Sequence, residues 1–151
     1  MRIYFDMDGT IANLYGMPNW LDDLRAYNPR PYKNARPLIN MNTLARLLNR
    51  LTALGHSIGI VSWLSKTSTI EYDTAVTKAK YSWLKKHLRS VHFEEIHIVP
   101  YGTPKEKVVF DCNGILFDDE EKNRKNWKGI AYNEKNIIEI LKEILDNTKN
   151  M

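Results

Sequence analysis

Two acids one residue apart, Asp6 and Asp8, follow the short apolar run from Arg2 to Phe5, and Gly9 comes directly after them. A buried strand that breaks at a glycine lets the backbone turn, so both carboxylates can converge on one point. A second acidic pair, Asp118 and Asp119, closes another apolar run, Gly114 to Phe117. Ser62 ends a third run, and Lys105 follows Gly102-Thr103-Pro104. A carboxylate that attacks a phosphate ester must approach a group of its own sign, so such chemistry needs a cation nearby. Oxygens from Asp6, Asp118 and a main-chain carbonyl form the hard donor set that suits magnesium.

The elements that must position these residues follow from periodicity. Runs at Arg2 to Phe5, Ser57 to Val61, Ile96 to Val99, Gly114 to Phe117 and Gly129 to Tyr132 predict strands. Leu44, Leu47, Leu48, Leu51 and Leu54 predict a helix from Asn40 to Leu54, with Gly55 where a left-handed C-cap belongs. Tyr72, Val76, Ala79, Trp83, Leu84 and Leu88 predict a longer helix from Thr69 to Leu88, with Lys78, Lys85 and Arg89 on its outer face. Pro104 opens a short helix carrying Lys105 to Val109, and Ile137, Ile138, Leu141, Ile144 and Leu145 mark a closing helix. Strands alternating with helices predict an α/β fold, a Rossmann-like parallel sheet of about five strands with helices on both faces. Ligands of such sheets bind beyond the carboxyl ends of the strands, where all four polar signals fall. The stretch 12 to 37, interrupted by Pro18, Pro29, Pro31 and Pro37, reads as a small insertion in a single domain of residues 1 to 151. Asn19 is the expected cap of a short helix in it, with Trp20, Leu21, Leu24 and Tyr27 facing inward.

Asp6-Met7-Asp8-Gly9-Thr10 matches in full the Asp-x-Asp-Gly-Thr motif that follows a hydrophobic strand in the haloacid dehalogenase-like hydrolases, and the chain resembles that superfamily. Ser62, Lys105 and Asp118-Asp119 are similar to its later motifs, in the same order. The resemblance implies that Asp6 is the nucleophile and Asp8 the general acid and base. It implies phosphoryl contacts from Thr10, Ser62, Trp63 and Lys105, and a Mg2+ site drawn from Asp6, Asp8, Asp118 and Asp119. Lys105 is preferred to Lys107 because the preceding loop can aim it at the strand ends. An acid at position 8 implies phosphate esters and not dehalogenation. The intervals between motifs are short, which implies a minimal cap and an open site, unless a homo-oligomer covers it.

More loosely, Phe5 to Thr10, the short insertion, Ser62-Trp63 and Asp118-Asp119 resemble the 5′(3′)-deoxyribonucleotidase branch, which implies a nucleoside monophosphate as partner. Trp20, Tyr27 and Tyr32 could then stack a base, and Arg25, Arg30, Lys33 and Arg36 could hold anionic groups. The preferred reading packs these aromatics onto the core and leaves the cations solvated.

Composition narrows the classes further. With 43% apolar and 26% charged residues in 151, a globular domain with a real core is expected. No run approaches a membrane span and no secretory leader is read, so the expected location is the cytoplasm. Cys112 is the only cysteine, which excludes an intrachain disulfide, and His56, His87, His92 and His97 lack metal-ligand spacing. A net charge of +4 hints at phosphate-bearing partners, but Lys78, Lys85, Lys86 and Arg89 read as a solvated face in preference to a nucleic-acid track. Two other classes remain open: a non-catalytic phosphate-binding or partner-binding module, and a receiver-like signalling domain.

Overall fold

The computed structural model describes residues 1 to 66 and 68 to 150. Five strands form one parallel sheet: β1 (Arg2–Phe5), β4 (Ser57–Trp63), β5 (Glu95–Val99), β6 (Ile115–Phe117) and β7 (Ile130–Tyr132). Between them lie α3 (Met41–Ala53), α4 (Ile70–His87) and α5 (Glu121–Asn126), and α6 (Ile137–Lys149) closes the chain. The spatial order β5-β4-β1-β6-β7 puts β1 between β4 and β6, with Phe5 level with Ile60 and Phe117. The first strand of a receiver-like sheet has the second and third strands as neighbours, so this order excludes the receiver reading.

Alternating residues of the central strands serve two cores. Ile3, Phe5, Ile58, Ile60, Ile115 and Phe117 pack with the leucines of α3, with Trp83 and Leu84 of α4, and with Ile137, Leu141 and Leu145 of α6. Tyr4, Val61 and Leu116 point the other way, onto Trp127, Val108, Val109 and Cys112. Cys112 is thus a packed thiol. The predicted helix ends hold where side chains cap them. Asn40 accepts the Thr43 N–H at 3.0 Å, Thr69 accepts the Tyr72 N–H at 3.1 Å, and Gly55 takes φ 98°. No described helix is long and apolar enough to cross a membrane.

The insertion has more structure than its prolines suggested. Two short strands, β2 (Ala12–Asn13) and β3 (Arg36–Pro37), pair antiparallel and enclose α1 (Trp20–Arg25) and α2 (Arg30–Asn34). Pro31 sits in the first turn of α2, where its missing N–H costs nothing. Asn19 does not cap α1: it adopts φ 59° and makes no side-chain cap bond. The inner side of α1 is only partly covered: none of its residues is fully buried, and Leu24 packs against the cluster of Leu14, Tyr32, Leu64 and Tyr72. The helix α5 also went unread, because Glu-Lys-Asn-Arg-Lys-Asn carries no apolar period and buries only Asn123.

Candidate active site

The carboxyl ends of β1, β4 and β6 meet at one point. Asp6 directly follows β1 and its N–H donates to the Phe117 carbonyl at 2.9 Å, so main-chain pairing locks the two acidic motifs together. Beyond Asp8, Gly9 turns the chain at φ 80°, and a Cβ there would collide with the Asp119 carboxylate and the Tyr15 ring. A glycine is therefore required twice over, for its dihedral and for the space.

The carboxylates of Asp6, Asp118 and Asp119 offer oxygens that all lie within 4.8 Å of one another. Lys105, only 2% exposed, donates to Asp6 Oδ1 at 3.0 Å and to Asp118 Oδ2 at 2.7 Å. Lys107 is exposed, so the structure brings Lys105 and not Lys107 to the acids. Thr10 is buried, with one hydroxyl proton to share between Asp6 Oδ2 at 3.1 Å and Asp119 Oδ1 at 3.2 Å. Its oxygen accepts the Asp119 N–H at 3.1 Å, which ties the loop after β1 to the end of β6.

Two expected phosphate contacts are placed differently. Ser62 is fully buried at the end of β4, and its Oγ accepts from Lys80 at 2.7 Å. Trp63 does line the site, but its indole N–H is taken by the Thr103 carbonyl at 2.8 Å. The Trp63 ring lies over the Lys105 ammonium, 5.3 Å from its centroid. Asp8, expected among the metal ligands, has its carboxylate outside the cluster of three, with Oδ2 bound to Lys80 Nζ at 2.8 Å.

Lys80 is the residue the sequence reading passed over. Its position was visible: it stands eight residues after Tyr72, four after Val76 and three before Trp83, a lysine on the apolar stripe of α4. Its side chain is 1% exposed. Asn123 and Arg124 of α5 were also missed: they donate to Asp118 Oδ2 at 3.1 Å and to the Asp118 carbonyl at 3.0 Å.

Four carboxylates face two ammonium groups here, and the imbalance shows in their proton affinities. Burial and the charge of Asp6 push Asp118 up to about 6, against the pull of Lys105, and the same causes push Asp119 up to about 8. Asp8 is raised by burial, opposed by Lys80 and reinforced by Asp6. Lys105 stays above the ordinary lysine value because Asp6 and Asp118 outweigh its burial. A site short of two positive charges, with three clustered carboxylates, has the charge and the donors that a divalent cation requires.

Beside the acids opens a cleft of about 440 Å3. The insertion contributes Leu14, Tyr15, Trp20, Leu21, Leu24, Arg25 and Tyr32 to its lining, and Trp63, Leu64, Lys66 and Tyr101 also line it. The aromatics Trp20 and Tyr32 therefore wall the site. Tyr27 instead packs edge-on against Tyr72, with centroids 5.6 Å apart. Of the four insertion cations, Arg25 lines the cleft, Arg30 is paired with Asp23 at 2.7 Å, and Lys33 and Arg36 are exposed.

No family model and no curated protein matches the chain. Among solved structures it is similar to the crystal structure of D,D-heptose 1,7-bisphosphate phosphatase from Burkholderia thailandensis, with a TM-score of 0.52 and 12% identity over 95% of this chain and 97% of that one. At that identity the likeness concerns the fold, which is haloacid dehalogenase-like.

Proposed function

We propose that the protein is a magnesium-dependent phosphomonoester hydrolase that works through an aspartyl phosphate on Asp6. The observation that carries this reading is the division of labour among the acids. Asp6 lies with Asp118 and Asp119 against Lys105, while Asp8, two residues on, is held apart by Lys80. A nucleophile that shares charge with a cation and a separate group for protons are what two-step ester cleavage needs.

In the first step an Asp6 oxygen bonds to phosphorus, the bond to the leaving oxygen breaks, and Asp8 supplies that oxygen's proton. In the second, water attacks the phosphorus, Asp8 accepts its proton, and inorganic phosphate departs with Asp6 restored. Lys105 offsets charge on Asp6 and on the transferring phosphoryl group. Asp6, Asp118 and Asp119 would hold Mg2+, with a main-chain carbonyl as a further oxygen, and the ion would neutralise phosphoryl charge. The aromatic cleft supports a leaving group of nucleoside size, so the preferred substrate class is a (deoxy)nucleoside monophosphate. That the structural neighbour is a phosphatase of a sugar bisphosphate agrees with phosphate esters as the broader class.

Phosphate release from p-nitrophenyl phosphate and a set of nucleoside monophosphates, with and without Mg2+, tests both levels of this reading. Magnesium-dependent turnover with a preference for one nucleotide is expected. Turnover without such a preference would remove the nucleotidase assignment, and no turnover on any ester would remove the hydrolase.

Proton linkage gives a second test. Asp118 and Asp119 hold protons more tightly here than in an unfolded chain, where an aspartate has a pKa of about 3.9. Their contribution to the stability of the metal-free protein is therefore full below about pH 4 and is lost as pH rises through 6 and 8. Mg2+ must displace those protons, so it should stabilise little at pH 5 and strongly at pH 8. At a hundredfold excess over its dissociation constant the gain is about 2.7 kcal/mol, or roughly 5–10 °C in melting temperature. Calorimetric scans in Mg2+ and in chelator at both pH values read this directly, and equal shifts would contradict it.

A further inference from the structure

We propose that Lys80 is a positioning residue that fixes the Asp8 carboxylate for proton transfer, an inference that rests on the hydrolase reading above. Its ammonium has three N–H donors, and the structure gives it three acceptors: Asp8 Oδ2 at 2.8 Å, Ser62 Oγ at 2.7 Å and the Trp63 carbonyl at 2.6 Å. No donor is left for a ligand, and the side chain does not line the cleft. Lys80 thus acts through Asp8, by fastening the loop after β1 to the end of β4.

The fastening is rigid because Lys80 is itself held. Thr69 caps the start of α4, and near its end the Trp83 indole donates to the Ala35 carbonyl at 2.7 Å. From the insertion side the Tyr32 ring closes over the ammonium, 5.2 Å from its centroid. With Oδ2 engaged, Oδ1 of Asp8 is left to exchange protons in the cleft that Asp8 lines. Proton transfer requires a heavy-atom separation of about 2.6–3.2 Å. An Asp8 released from Lys80 has no such fixed placement, and it could turn toward the cluster of Asp6, Asp118 and Asp119. A misplacement of about 1 Å costs about a hundredfold in rate.

Rapid mixing of Lys80→Met with two esters in Mg2+ separates this role from a structural one. p-Nitrophenolate leaves without a proton, so phosphorylation of Asp6 continues while hydrolysis of the intermediate fails. The expected trace is a burst of one nitrophenolate per enzyme, then a steady state slowed about 100-fold. An alkyl phosphate needs the proton in the first step and should show the same slowing with no burst. The double variant Lys80→Met/Asp8→Asn leaves no unpaired buried charge, and it guards against a failure of the single variant to fold. If Lys80 acts through Asp8, the double variant turns over as Asp8→Asn alone does, within about threefold. A further loss of tenfold or more in the double variant, or wild-type kinetics in folded Lys80→Met, would overturn the proposal. Wild-type protein inactive on every ester would instead overturn the hydrolase reading beneath it.

Discussion

Replacing Asp6 with asparagine should lower magnesium-dependent phosphate release by at least about 10,000-fold, the scale on which enzymes lose turnover with their nucleophile. The change is nearly isosteric, and the asparagine side chain keeps an oxygen able to accept the Lys105 bond that Asp6 Oδ1 accepts at 3.0 Å. The fold should persist, and removing one of the acids that repel Asp118 should leave the metal-free variant at least as stable as the wild type at pH 8. Activity and melting temperature should therefore move in different directions. A variant that lost both together would show that Asp6 is a structural acid.

The second large effect belongs to Lys105. Lys105→Met removes the cation between Asp6 and Asp118 and leaves two buried carboxylates facing each other. Turnover should fall by about 100- to 1,000-fold, as it does when a preorganised group for transition-state charge is removed. Breaking a buried pair costs about 3–5 kcal/mol. Because Asp118 takes up a proton near pH 6, the loss should be larger at pH 8 than at pH 5, and larger in chelator than in Mg2+. Lys107→Met, two residues on and exposed, should stay within about twofold of wild type in rate and within about 0.5 kcal/mol in stability. Steady-state rates and denaturation midpoints of the two variants settle which lysine the site uses.

The parts of this architecture that were legible in the sequence are those that periodicity and punctuation control. The strands β1, β4 and β6 and the helices α3, α4 and α6 each bury apolar side chains, the edge strands β5 and β7 pack partly buried ones, and Gly9 and Gly55 mark backbone turns that only a few residues tolerate. The acids and Lys105 were legible because they stand at strand ends, where topology converges. What escaped depends on tertiary placement. The helix α5 has no apolar face, since what it contributes is polar: Asn123, its one buried residue, and Arg124 both donate to Asp118. The preferred reading packs the aromatics of the insertion onto the core, which Tyr32 does among Leu14, Leu64 and Tyr72, yet Trp20 and Tyr32 also line the cleft. A local pattern does not distinguish an aromatic that packs from one that walls a ligand site.

Ser62 and Lys80 teach the complementary lesson. Ser62 has the position expected of a phosphate contact, yet its hydroxyl is buried and engaged by a lysine eighteen residues on. A charged residue on the inner stripe of a helix is costly to bury unless it is paired, so Lys80 implied a buried partner at the strand ends. Which partner, Asp8, was fixed only by how α4 crosses the sheet.

The most direct measurement of the central claim is the site of phosphorylation in protein quenched with acid during turnover of p-nitrophenyl phosphate in Mg2+. Peptide mass spectrometry should find one phosphoryl group on the segment that holds Asp6 and Asp8, absent in chelator and absent in Asp6→Asn, with Asp6 as the modified residue. A phosphoryl group on any other residue, or full turnover with no phosphorylated enzyme even in the slowed Asp8→Asn variant, would contradict it.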